Sequence, residues 1–163
     1  MPEPLKVGVV GLGIRGFWVA HITRGCQETR LVAVADMRPE IREVAREKFP
    51  DVELYASGEE MARDASIDAV FVTTGDRFHA GNAREALRSG KHVLIEKPMA
   101  QSFADLQEIA RLQHETGLTV GTFLELRHSR LWQRTRELLD SGTIGACLPR
   151  RWSTMLAATV TSS

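Results

Sequence analysis

Cysteine, net charge and long apolar runs are all scarce in this chain, and each scarcity excludes a class of protein. Cys26 and Cys147 are the two cysteines among 163 residues, far apart and without paired-ligand spacing. Neither a disulfide framework nor a zinc site is indicated. Lysine plus arginine number 21, and so do aspartate plus glutamate. A formal net charge of zero argues against nucleic-acid and acidic-membrane partners. No apolar run approaches the roughly 18 residues of a membrane span. The opening Met1-Pro-Glu-Pro-Leu-Lys6 does not read as a signal peptide. The expected setting is a reducing cytoplasm, and the length suits one domain, or one and a fragment.

What is present begins with Lys6 to Gly16, Lys-Val-Gly-Val-Val-Gly-Leu-Gly-Ile-Arg-Gly. The β-branched run Val7 to Val10 reads as a buried parallel strand. It breaks into Gly11, Gly13 and Gly16 at G-x-G-x-x-G spacing, ahead of a helix-capable segment. One glycine permits a tight turn, the second lets backbone approach a pyrophosphate, and the third lets helix and strand pack closely. The helix N-terminus then offers N–H groups and a positive dipole end to the phosphates. Ile14 and Arg15 are expected as main-chain donors, and the Arg15 side chain adds charge. A second apolar run, Arg30 to Ala35, ends in Asp36, about 20 residues on, where a carboxylate accepts from an adenosine ribose.

The rest of the chain alternates strand-like and helix-like segments. Pro39 opens a helix carrying Ile41, Val44, Ala45 and Phe49 at helical spacing. Residues 53–55 read as a short strand, 59–64 as a short helix, and 69–73 as a fully apolar strand of a sheet covered on both faces. His79, Ala83, Ala86 and Leu87 form the inward stripe of the next helix, with Gly90 as its stop. Residues 92–95 are the fifth strand. Ser102 and Asp105 start a capped helix that turns Leu106, Ile109 and Ala110 inward and closes at Gly117. Residues 118–123 are the sixth strand and about 131–140 a last helix. The fold class is therefore α/β, a doubly wound parallel sheet of Rossmann type over residues 1–145. Residues 146–163 read as the truncated start of a second, α+β domain, with Trp152, Met155 and Leu156 on an orphaned strand. That segment offers a route to homo-oligomers.

Ligands of an open parallel sheet bind beyond the carboxyl ends of its strands. Asp36, Thr73, Thr74 and Lys97 fall at such ends. Lys97, within Glu96-Lys97-Pro98, can polarise a hydroxyl or carbonyl; a cis bond to Pro98 is one way of fixing the turn that aims it. The competing reading is a solvated lysine paired with Glu96.

Together, the glycine turn, the acid after strand two, Thr73-Thr74, Asp76-Arg-Phe-His79, Glu96-Lys97-Pro98 and Leu139-Asp-Ser-Gly-Thr-Ile-Gly145 resemble the Gfo/Idh/MocA (glucose-fructose oxidoreductase, inositol dehydrogenase, rhizopine catabolism) family over residues 5–156. The resemblance implies reversible hydride transfer between a nicotinamide and a sugar, cyclitol or related hydroxyl carbon. It implies Lys97 as the catalytic candidate, with Thr73 and Thr74 lining the nicotinamide side. The cofactor-binding set becomes Gly11, Gly13, Ile14, Arg15, Gly16, Asp36, Arg38, Thr73, Thr74 and Glu96. Two departures stand out. Thr74-Gly75-Asp76 replaces the family's usual Thr-Pro-Asn, loosening the loop and adding a negative charge. The chain also lacks the half that holds the substrate pocket and the Asp-x-x-x-His pair whose histidine acts as acid/base.

Of the histidines, His79 reads as packed and hydrogen-bonded rather than as a proton shuttle. Arg127 and His128 stand evenly between substrate-side groups and ordinary surface. Asp36 favours NAD, while Arg38 could offset its charge and admit NADP. Three readings remain: the cofactor half of an oxidoreductase, a non-catalytic dinucleotide-binding or redox-sensing module, and an inactive truncated remnant.

Overall fold

The computed structural model describes residues 3–145. The expected strand at residues 150–156 lies outside the described residues. By contacts the chain divides into two compact units, residues 1–123 and 124–163.

The first unit holds six parallel strands: β1 (Leu5–Val10), β2 (Thr29–Ala35), β3 (Glu53–Tyr55), β4 (Ala69–Val72), β5 (His92–Ile95) and β6 (Val120–Thr122). Their order across the sheet is β3-β2-β1-β4-β5-β6. Chain order reverses between β1 and β4, so the loops after those strands diverge and leave a crevice at their carboxyl ends. The crossovers are α1 (Ile14–Gly25), α2 (Pro39–Lys48), α3 (Gly58–Ala62), α4 (His79–Arg88) and α5 (Phe103–Thr116).

Strand periodicity sends side chains alternately to two apolar layers. Val7 and Val9 of β1 join Val19, Ala20, Ala45 and Phe49 on the α1/α2 side. Val10 joins Val70 and Val72 of β4 with Ala83, Leu87 and Ile109 on the α4/α5 side. The β1–β2 register shifts between Val7 and Gly8, where Val7 pairs with Leu31 but Gly8 pairs with Ala33. That extra residue lets Leu31 and Val34, three apart, reach the same layer.

The helix limits have local causes. Pro39 sits in the first turn of α2, where its missing N–H costs no hydrogen bond. Ser102 caps α5 by accepting from the Asp105 N–H, and Gly117 ends it at φ 68°, a conformation that suits glycine. The inward stripe of α4 is as expected, with His79, Ala83, Ala86 and Leu87 buried. On α5 the expectation needs correction. Ile109 and Leu112 are buried, while Leu106 and Ala110 are exposed, because the helix buries a narrow stripe against α4. Arg84 and Arg88 of α4 pair with Asp105 and Glu108 at the rim of that contact. Val44 of α2 is likewise exposed.

The second unit contains a 3-10 turn (Glu125–His128) and α6 (Arg130–Asp140). Gly142 follows the helix at φ 70°. Among the described residues, no helix is long and apolar enough to cross a membrane, and no group of three or more His, Cys, Asp or Glu could hold a metal.

Candidate dinucleotide site

The glycine turn shows three separate reasons for its three glycines. Gly11 follows β1 at φ 90°, and a Cβ there would lie 2.6 Å from the Thr74 backbone. Gly16 is buried in α1, and its Cβ would overlap the Gly11 carbonyl oxygen and lie 2.9 Å from the Gly11 carbonyl carbon. Gly13 differs from both, because a Cβ there would meet nothing within 4 Å among the described residues. Its small size serves no packing need of the protein, so the space in front of it is available to a ligand. Gly13 is also the N-cap of α1, and no side chain caps that end. The first helical bond runs from the Phe17 N–H to the Gly13 carbonyl, so the first turn presents its N–H groups along the axis.

Thr73 and Thr74, at the end of β4, face this turn. The Thr73 hydroxyl donates to the Val10 carbonyl at 3.0 Å or the Gly11 carbonyl at 2.9 Å, which pins the turn across the switch point. The Thr74 hydroxyl is buried and has no hydrogen-bond partner among the described residues. Buried hydroxyls are seldom left so, and this one lines the crevice.

Asp36 closes the opposite side, at the end of β2. Its Oδ2 accepts from the Leu12 N–H at 2.8 Å and from Arg38 Nη2 at 2.9 Å. Its Oδ1 accepts from Arg38 N at 3.0 Å and Arg38 Nε at 2.9 Å. Burial alone would raise this carboxyl. The Arg38 side-chain hydrogen bonds, the Arg38 and Leu12 N–H groups and the guanidinium charge outweigh it, and the carboxyl lies below its ordinary value. All of the roughly four lone-pair positions of a carboxylate are thereby occupied.

Gly11, Gly13, Ile14, Arg15, Asp36, Arg38, Thr73 and Thr74 line one crevice of about 480 Å³, and Gly16 lies beneath it. Arg15 pairs with Glu96, whose other oxygen accepts from the Lys97 N–H at 2.7 Å. Lys97 is exposed at the end of β5, outside the crevice wall, and its bond to Pro98 is cis. Arg127 and His128 are exposed on the 3-10 turn of the second unit.

The crevice also takes in Met37, Ser57, Phe78 and Asn82, which sequence reasoning missed. The available signal was position alone, since these residues lie in or near loops at the carboxyl ends of β2, β3 and β4.

The model of the Gfo/Idh/MocA family, described as an oxidoreductase family with an NAD-binding Rossmann fold, matches residues 5–123. The chain belongs to that family. Inositol 2-dehydrogenase from Burkholderia multivorans is 32% identical over 148 residues, 88% of this chain and 44% of that relative. The NADP(+) scyllo-inositol 2-dehydrogenase of Bacillus subtilis is 29% identical, over 87% of this chain and 39% of that protein. Among solved structures, scyllo-inositol dehydrogenase from Lactobacillus casei with bound NAD(H) and scyllo-inositol superposes with a TM-score of 0.80. It is 28% identical, covering 88% of this chain and 43% of its own. The chain thus spans less than half the length of these relatives.

Within this Gfo/Idh/MocA chain the replacement of proline by Gly75 is conformationally mild. Gly75 adopts φ −68° and ψ 147°, the φ that proline itself would impose. Asp76 starts an exposed 3-10 turn, Asp76–Phe78. The residues present fit a dinucleotide: an open approach at Gly13, an uncapped helix N-terminus and an orphaned hydroxyl all face the same space.

Proposed function

We propose that this chain is the cofactor-binding part, residues 1–145, of an oxidoreductase that moves hydride between a nicotinamide and a hydroxyl carbon of a cyclitol or sugar. Residues 146–163 would begin the substrate domain. The open space in front of Gly13, at an uncapped helix end on the switch point, carries this reading. No internal packing accounts for that glycine, whereas an approaching pyrophosphate does.

When bound, the nicotinamide accepts or returns the hydride. The chain's own residues do the rest. The first turn of α1 holds the pyrophosphate through its N–H groups, with Gly13 giving the clearance. Asp36 accepts from the ribose hydroxyls once Arg38 withdraws its fork, and that favours NAD over NADP. The Thr74 hydroxyl donates into the nicotinamide side of the crevice. Lys97 hydrogen-bonds the substrate oxygen, stabilising negative charge there as the carbon-bound hydrogen leaves. Glu96, by accepting the Lys97 N–H, fixes the backbone from which that lysine projects. Arg127 and His128 are substrate-side residues in this reading, and the group that takes the hydroxyl proton lies on the substrate domain.

Titration of the 163-residue chain with NADH and NADPH, followed by binding heat and tryptophan quenching, tests the proposal. Saturable binding of both, tighter for NADH, is expected. Binding of neither would refute the cofactor reading, and a dissociation constant well below NADH's for NADPH would overturn the preference.

A further inference from the structure

The β4–β5 ladder ends at the pair Val72 and Ile95, with a last bond from the Glu96 N–H to the Val72 carbonyl at 2.8 Å. Beyond it the two strands part. One continues into Thr73 and Thr74, the other into Lys97 and Pro98, so the loops that form the nicotinamide side have no backbone bond tying them to each other there. The His79 ring lies between them. Its Nδ1 is 2.7 Å from the Pro98 carbonyl oxygen and its Nε2 is 2.8 Å from the Thr74 carbonyl oxygen. The residue is 1% exposed, and these two carbonyls are its hydrogen-bond partners.

Two facing carbonyls cannot bond one another, since both are acceptors. The His79 ring reaches both, donating to one of them from a neutral ring and to both only when each nitrogen carries a hydrogen. His79 opens α4, a helix whose inner face, Ala83, Ala86 and Leu87, is buried in the core, so the ring is anchored to the core rather than to either loop.

We propose that His79 is a positioning residue that joins the Thr74 loop to the Lys97–Pro98 turn where the sheet no longer does, and so sets the nicotinamide side of the crevice. This rests on the dinucleotide reading above. Through Thr74 the ring fixes the orphaned hydroxyl, and through Pro98 it fixes the turn that carries Lys97. Neither the pyrophosphate grip at Gly13 nor the ribose grip at Asp36 depends on it.

The test separates the two ends of the dinucleotide by comparing NADH with ADP-ribose, which lacks the nicotinamide. In the 163-residue chain, His79→Phe keeps a ring of similar volume and removes both nitrogens. NADH affinity should fall about tenfold, the scale of one lost buried hydrogen bond, and the fluorescence enhancement of the bound reduced nicotinamide should shrink. ADP-ribose affinity should stay within about twofold of wild type on the same scale. His79→Asn places a donor near the Nδ1 position and His79→Gln places one near Nε2, so each should rescue part of the loss. These two variants decide the matter if the phenylalanine variant melts early. Equal losses for both nucleotides, or no loss for NADH, would overturn the proposal while leaving the dinucleotide site standing. Wild-type chain that binds neither nucleotide would overturn both.

Discussion

Gly13 and Gly16 make a paired prediction in which fold and binding come apart. A Cβ at position 16 would run into the Gly11 backbone, lying 2.9 Å from its carbonyl carbon and 3.0 Å from Thr73 Oγ1. Neither the turn nor the threonine can retreat freely, because Gly11 N is bonded to the Ala35 carbonyl at 2.8 Å and Thr73 holds the turn. Gly16→Ala should therefore cost near the upper end of overpacking, about 3 kcal/mol. About 1 kcal/mol returns from the better helix propensity of alanine. The net loss of about 2 kcal/mol should lower the melting temperature by about 4–8 °C for a chain of this size. Gly13→Val meets open space and extended backbone, φ −74° and ψ −168°, so its cost is that of a poor N-cap, about 1 kcal/mol or 2–4 °C. Its side chain, however, stands where the pyrophosphate must approach. Losing one charge-assisted hydrogen bond of about 1.5–3 kcal/mol weakens NADH by about 10- to 150-fold. Thermal melts and NADH titrations of both variants check this. A Gly13→Val chain that binds NADH like wild type would refute the assignment of that space to a ligand.

Three further outcomes follow from the side chains around the crevice. Arg38→Ala releases two oxygen positions of Asp36 but leaves its charge uncovered, so NADH should bind as well or better while NADPH weakens by about tenfold or more, the scale of a charged hydrogen bond. A parallel loss of both would show that Arg38 holds adenine rather than governing Asp36. Thr74→Val removes a buried hydroxyl that has no partner among the described residues. The free chain should gain about 1 kcal/mol, or 2–4 °C in melting temperature, and lose NADH affinity severalfold; no thermal gain would mean the hydroxyl is already satisfied. The Asp36 carboxyl lies below its ordinary value when folded, so its contribution to stability is full above about pH 3.9 and is lost as pH falls through the folded value. Asp36→Asn should therefore be less stable than wild type near neutrality and show a shallower loss on acidification, read by denaturant unfolding from pH 7 downward. Parallel curves for the two chains would count against it.

The succession of strands and helices along the chain was legible because each cue is local, while the order of strands across the sheet was not. Glycines and caps punctuate the sequence, and apolar runs of four to six residues without alternation, too short for a helix and bounded by turn residues, read as strands covered on both faces. Gly13, Asp36 and Thr73 were legible for the same reason, since strand-end position and spacing alone select them. Burial on α5 was misjudged because helical spacing marks a stripe without fixing its width. Leu106 lies on that stripe but beyond the edge of the α4 contact. Met37, Phe78 and Asn82 were missed, because strand-end position was their only signal and they reach the crevice through the relative placement of three loops. His79 was legible as a packed residue. Its two partners were not, since Thr74 and Pro98 present backbone carbonyls, which no residue pattern encodes.

The charges of the site point to an exchange rather than a simple addition when a dinucleotide enters. Two carboxylates stand buried at strand ends, Asp36 after β2 and Glu96 after β5, and a pyrophosphate brings further negative charge between them. Left uncompensated, the carboxylates would oppose that anion through surroundings where solvent screens little. Arg38 covers Asp36, and Arg15 covers Glu96. Under the proposed function, Arg15 favours the pyrophosphate by covering Glu96 as well as by its position in the glycine turn. The two pairs differ in what binding asks of them. Under that function, Asp36 gives up Arg38 contacts to accept ribose hydroxyls, whereas the pair at Glu96 remains intact and its bond to the Lys97 N–H is kept. Discrimination between cofactors is, under the same proposal, set at the Asp36–Arg38 pair and the Lys97 backbone is held at Glu96, so a substitution at Arg38 should alter which dinucleotide binds without altering how Lys97 is held.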